Sequence, residues 1–170
     1  MAAGVRRMSW SATEVSALAA KAARGAGAPP DQAARFGTAA AFHLMIGNAP
    51  QDLRLALQAL PDGGPVMRLP VVLDEAVSEG GRVFEMLPPD ALVRAYVAVL
   101  PFAATLAAAD NDHWRVSVNV TKPAPKIEPL RITGCADLID EMTGLAARTF
   151  VPESAASRAA GAGAGLTDND

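Results

Sequence analysis

Apolar positions in the first sixty residues recur at helical spacing. Val15, Leu18, Ala19 and Ala22 share one face. They follow a capping box, Ser11-Ala-Thr-Glu14, in which Ser11 caps the first turn and Glu14 reaches back. Trp10 before the cap and Val15 inside the helix are placed as a hydrophobic staple. Gly25 and Gly27 end this helix, and Pro29-Pro30-Asp31 opens a second, predicted from about Gln32 to Ile46. Its stripe contains Phe36, Ala40, His43 and Leu44. A third helix, from about Asp52 to Leu60, carries Leu53, Leu57 and Leu60 and stops at Pro61-Asp62-Gly63-Gly64.

Beyond Gly64 the pattern changes character. Val66 to Leu69 reads as a short strand. In Pro70 to Ser78 the valines favour strand, but an opening proline and the Gly80-Gly81 stop favour helix, and helix is taken. Arg82 to Leu87 alternates as a strand, as does Val93 to Leu100. Pro101 suits the first position of a helix to about Ala109; the rival is one helix, Ala91 to Ala109, kinked at Pro101. Trp114 to Val120, with Val116, Val118 and Val120 on one face, is the clearest strand.

Lys122 to Lys126 reads as an extended linker, Leu130 to Thr133 as a strand, and Cys135 to Ala147 as a helix carrying Leu138, Ile139, Met142 and Leu145. Arg148 to Val151 is a brief strand or loop and Glu153 to Ala160 a turn of helix. Val93 to Val120 as strand, helix, strand predicts a right-handed crossover. The expected fold is therefore α/β or α+β, a helical N-terminal layer followed by a mixed sheet with helices. Residues 9–160 form its single domain. Residues 1–8 are expected to be a disordered extension, with Met8 an alternative start, and residues 161–170 a Gly/Ala-rich acidic tail.

Composition narrows the function classes. The 170 residues are 51% hydrophobic and 19% charged, which is globular, and only 5% aromatic, which predicts close packing through alanine. A net charge of −3 supplies no basic field for nucleic acid. No polybasic stretch suggests a membrane surface, and the apolar run Ala91 to Ala109 is interrupted by Arg94 and Pro101. The single cysteine, Cys135, excludes an internal disulfide and a multi-cysteine zinc site, and fits a reducing cytoplasm.

Candidate chemistry is sparse. Gly161 to Gly165, GAGAG, is no phosphate loop, because too few residues follow to build the helix that would meet the phosphates. Asp168 and Asp170 would also repel an anion; with the Asp110-Asn111-Asp112 triplet they offer hard oxygens for a divalent metal. Asp110 to His113 reads otherwise as a polar turn. Catalytic candidates are His43, His113 and Cys135. The alternatives are a hydrogen-bonded core histidine at His43 and a buried structural thiol at Cys135, whose place at a helix start would lower its pKa. Arg148, Ser154, Ser157 and Arg158 are candidates for binding an anionic ligand, against a capping serine with surface arginines. No H-E-x-x-H, G-x-S-x-G or G-x-x-x-x-G-K-[ST] occurs, so whether the chain is an enzyme stays open.

Ser9 to Gly27, together with Arg148 to Asp170 (RTFVPESAASR through GAGAGLTDND), resembles a bacterial family catalogued as a domain of unknown function. The resemblance implies that the closing motif belongs to the domain; it implies no activity, substrate or cofactor. Ser11 to Ala41 has a fainter similarity to the first helices of the non-Rossmann malate/L-lactate dehydrogenase family. That family follows with a His-Gly pair, whereas His43 is followed by Leu44, and no catalytic role is carried over. The expectation is a non-catalytic binding or accessory domain, a homo-oligomer or a subunit of a larger assembly. The alternative is a small enzyme acting on an anionic amino or hydroxy acid, with a divalent metal assisting.

Overall fold

Ser11 sets the start of the first helix as its sequence requires. Its Oγ accepts from the Glu14 amide at 3.1 Å, and the Glu14 carboxylate accepts from the Ser11 amide at 2.7 Å. These bonds hold the Glu14 carboxyl below the usual carboxylate range. In the computed structural model, which describes residues 8–149, helix α1 (Ala12–Gly25) follows a two-residue strand β1 (Ser9–Trp10). Then come α2 (Pro30–Met45), α3 (Pro50–Gln58), α4 (Pro65–Glu79), β2 (Gly81–Glu85), α5 (Asp90–Ala98), β3 (Phe102–Ala108), β4 (His113–Pro123), β5 (Ile132–Thr133) and α6 (Ala136–Ala147). The architecture is α+β, with the described residues forming one domain. None of their helices is long and apolar enough to cross a membrane.

Alanine and glycine let α1 approach two neighbours closely. Its buried Val15, Ala19, Ala22 and Ala23 pack between α2 and α6. A methyl group at Gly37 of α2 would overlap the Ser16 carbonyl oxygen, and one at Gly25 the Leu145 carbonyl, so both contacts need a bare Cα. β1 pairs antiparallel with β5, Ser9 opposite Thr133 and Trp10 opposite Ile132. Arg131 adds a 2.6 Å bond from Nη2 to the Ser9 carbonyl. The larger sheet is antiparallel throughout, in the order β2-β4-β3. Its buried Phe84, Trp114 and Val116 continue the core made by Phe36, Leu73 and Leu92.

Three expectations fail between Val66 and Ala109. The strand at Val66 and the helix opening at Pro70 are one helix, α4. Pro70 forfeits a single amide bond there, while Val66, Leu69, Pro70, Leu73 and Ala76 bury a continuous 3.6-residue stripe. Val93 to Leu100 is not a strand. Helix α5 buries Leu92, Val93, Ala95, Tyr96 and Val97 and leaves Asp90, Arg94 and Ala98 exposed at i, i+4 and i+8, so the period lies in the exposed positions and not in the alternating valines. The helix expected after Pro101 is strand β3, where pairing with the valine-rich β4 overrides the helical preference of its alanines. The crossover and the mixed sheet disappear with these readings: β3 and β4 form an antiparallel hairpin. The turn of helix expected at Glu153 and the extensions at either end lie outside the described residues.

Candidate functional site

A pocket of about 360 Å³ opens where α2, α4, α5 and the start of β3 meet. Arg35 and Thr38 lie one turn apart on α2, so both face the same side. Across from them α4 presents Leu73, Asp74 and Val77, again one turn. Tyr96 of α5 and the connection through Pro101 to Phe102 complete the wall. Volume and apolar lining suit a small ligand held by few polar groups.

The polar groups differ in how well they are satisfied. Arg35 Nη2 lies 2.7 Å from Asp74 Oδ1, and its Nε lies 3.3 Å from Asp31 Oδ2. Tyr96 is only 2% exposed, and its hydroxyl has no hydrogen-bond partner among the described residues. Burial pushes its phenol far above the ordinary value, against the opposing pull of the Arg35 charge, so the hydroxyl keeps its proton. A buried donor without an acceptor is uncommon in folded proteins and marks this wall for attention.

A second, more open groove of about 560 Å³ follows the seam between α1 and α2. Ala17, Ala20, Ala41, Phe42 and Met45 line it, with Ile127 from the segment before β5. Thr38 and Val99 belong to the linings of both cavities.

No family model, curated protein or solved structure matches this chain.

The candidates named from sequence are not gathered at this pocket. His43 is fully buried and ties the end of α2 to the start of α3. Its Nε2 lies 3.0 Å from the Ala49 carbonyl and 3.3 Å from Asp52, while Nδ1 meets the Asn48 amide nitrogen at 3.4 Å. These partners place the ring proton on Nε2 and employ both nitrogens in structure. His113 and Asp110 meet each other at 2.8 Å in the exposed β3–β4 turn. Asp110 also accepts from the Asp112 amide at 3.0 Å. That backbone bond, then the His113 bond, holds the Asp110 carboxyl below its usual range.

Asp112 contributes to the turn through its backbone carbonyl, which accepts from the Met86 amide at 2.8 Å. Among the described residues no three His, Cys, Asp or Glu side chains converge as a metal site. Cys135 occupies the N-cap of α6, as expected, but burial pushes its thiol up where a helix start would have lowered it. Arg148, at the other end of α6, edges a separate crevice beside Arg54 and Glu141, which pair at 2.7 Å. Ser154, Ser157, Arg158, Asp168 and Asp170 lie outside the described residues.

Sequence reasoning missed Arg35, Asp74 and Tyr96. One signal was present. Read as a helix, the segment from Asp90 puts Leu92, Tyr96 and Val99 at i, i+4 and i+7, which aims the only tyrosine of the chain along an apolar face.

Proposed function

We propose that this protein is a binding domain for a small, largely apolar molecule that carries a hydrogen-bond acceptor, held in the α2–α4–α5 pocket. The observation that carries the reading is the pocket itself, about 360 Å³ with a mainly apolar lining in which the exposed Thr38 and half-buried Arg35 are the accessible donors. The surrounding Leu73, Val77, Leu100 and Phe102 favour an apolar body.

An enzyme acting on an anionic metabolite is the second reading, and Arg35 on the pocket wall favours it. Against an anion stands the charge count: Asp74 balances Arg35 within the lining, and Asp31 adds a further negative charge beside it. Thermal-shift measurements with hexanamide and hexanoate separate the two. Hexanamide at about 100 times its Kd is expected to add about 2.7 kcal/mol of stability. A response to hexanoate alone would favour the anionic reading, and no response to either compound refutes the pocket as a binding site.

A further inference from the structure

We propose that the free edge of β3 pairs antiparallel with the same edge of a second copy of the chain, extending the three-stranded sheet to six strands across a two-fold axis. β3 is the last strand in the order β2-β4-β3. Two backbone bonds fix which of its groups are free. The Val118 amide of β4 donates to the Gly80 carbonyl at 3.0 Å, so Trp114, Val116 and Val118 turn their backbone groups toward β2. On the other side the Ala109 amide donates to the His113 carbonyl at 2.8 Å. Two-residue steps back along that register reach the pairs Ala107–Arg115, Thr105–Ser117 and Ala103–Asn119, which bond β3 to β4. Ala104, Leu106 and Ala108 therefore aim their N–H and C=O groups out of the sheet. Among the described residues β4 and α5 are the main neighbours of β3.

The two edges of the sheet are built differently. Exposed edges are ordinarily blunted by charge, proline or a covering element. β2 has α4 packed against it, and its Arg82 and Glu85 form ion pairs with Glu75, Glu79 and Arg68 of that helix. β3, FAATLAA, carries no charge and no proline, and its bulge is confined to the Phe102–Ala103 step.

The strand is complementary to itself. About a two-fold axis at Thr105, Ala104 bonds the second copy's Leu106, and Leu106 bonds the second copy's Ala104. Thr105 then faces the second copy's Thr105, a favourable cross-strand pair, and Ala103 meets the second copy's Ala107, so no bulk clashes and no like charges meet. The acidic turns, Asp110 to Asp112, lie at opposite ends of the paired strands, about ten residues or 33 Å apart. A parallel pairing would set them side by side. A foreign peptide is the poorer occupant. Strand addition takes its specificity from pockets for alternate side chains, and Thr105 and Ala107 are too small to build them.

The experiment is sedimentation velocity of the full chain from about 10 µM to about 1 mM, the range of a small, weak interface, with amide hydrogen exchange read by NMR at both ends. A monomer–dimer equilibrium is expected. Concentration is expected to slow exchange at Ala104, Leu106 and Ala108, roughly tenfold where nine chains in ten are paired, since exchange then proceeds through the free tenth. Ala103, Thr105 and Ala107, already bonded to β4, are expected to show no change. Ala104→Pro removes an outward N–H and no β3–β4 bond, a change that edge strands tolerate. This variant is expected to remain monomeric throughout, with the thermal midpoint confirming the fold; if it does not fold, the exchange pattern of the unaltered chain decides.

A monomer at every concentration would overturn the proposal, whether the three outward amides exchange freely or are protected by the chain itself. A dimer that leaves those amides unchanged, or that a folded Ala104→Pro variant still forms, would place the interface elsewhere and overturn it as well.

Discussion

Replacing Tyr96 by phenylalanine removes one oxygen and keeps the ring that packs beneath the pocket. In the folded chain that oxygen is buried without a partner among the described residues, whereas in the unfolded chain it is hydrated. An unpaired buried polar group costs about 1–3 kcal/mol. Taking the low end, Tyr96→Phe is expected to stabilise the unliganded protein by about 1 kcal/mol. In a domain of this size that raises Tm by about 2–4 °C. Urea denaturation should show a higher midpoint with an unchanged slope, the mark of a stability change without a change in exposed surface.

Tyr96 also offers a reading by titration, because it is the only tyrosine and tyrosinate absorbance reports it alone. Burial raises its folded pKa above the unfolded value of about 10. The folded state therefore keeps a proton that the unfolded state releases. Stability owed to this group is intact below pH of about 10 and falls above it, by up to about 1.4 kcal/mol per pH unit. Tyrosinate should appear only as the protein unfolds in alkali, and the Phe variant should lack this part of the slope. Destabilisation of Tyr96→Phe by 1 kcal/mol or more, or ordinary ionisation in the folded protein, would refute the reasoning: the hydroxyl would then have a partner or reach solvent.

Four further outcomes are expected. Gly37→Ala should lose about 1–3 kcal/mol by forcing a methyl against the Ser16 carbonyl, while Gly144→Ala, with nothing near its added methyl, should gain about 0.5–1 kcal/mol; chemical denaturation measures both. Ser11→Ala should cost about 1 kcal/mol by removing the cap of α1, read by the same method. Cys135, buried and with its thiol pushed up, should react with a disulfide-exchange reagent at the rate of local opening in native conditions and rapidly in denaturant.

The helical layer was legible because its signals are local. The Ser11 capping box, the prolines opening α2 and the heptad-like spacing of Leu53 and Leu57 each act within one or two turns, and the structure places α1, α2 and α3 near the expected bounds. Trp114 to Val118 was legible for the same reason, since Trp114, Val116 and Val118 are buried and Arg115 and Ser117 are exposed; Val120, expected on the same face, is exposed beyond the core. Helix α5 was not, because Val93, Val97 and Val99 imitate strand alternation, while the helical period shows only in the exposed Asp90, Arg94 and Ala98. Strand β3 was not either: its alanines take their conformation from the partner strand. The pocket was hidden for a further reason. Arg35, Asp74 and Tyr96 come from three helices separated by long stretches of chain, and no spacing rule relates them.

The placing of α1 between α2 and α6, with β1 tied to β5, has a consequence for how the chain is made. Helix α1 leaves the ribosome early, and its α6 neighbour follows about 110 residues later. At 5–20 residues per second, that delay is on the order of 10 s. During it α1 can dock on α2, which follows at once, but the side that meets α6 around Gly25 stays wet, and β1 has no strand to pair with. The nascent chain thus presents a half-covered alanine surface for the whole synthesis of α3 through β4, and closes it only when the last described helix arrives.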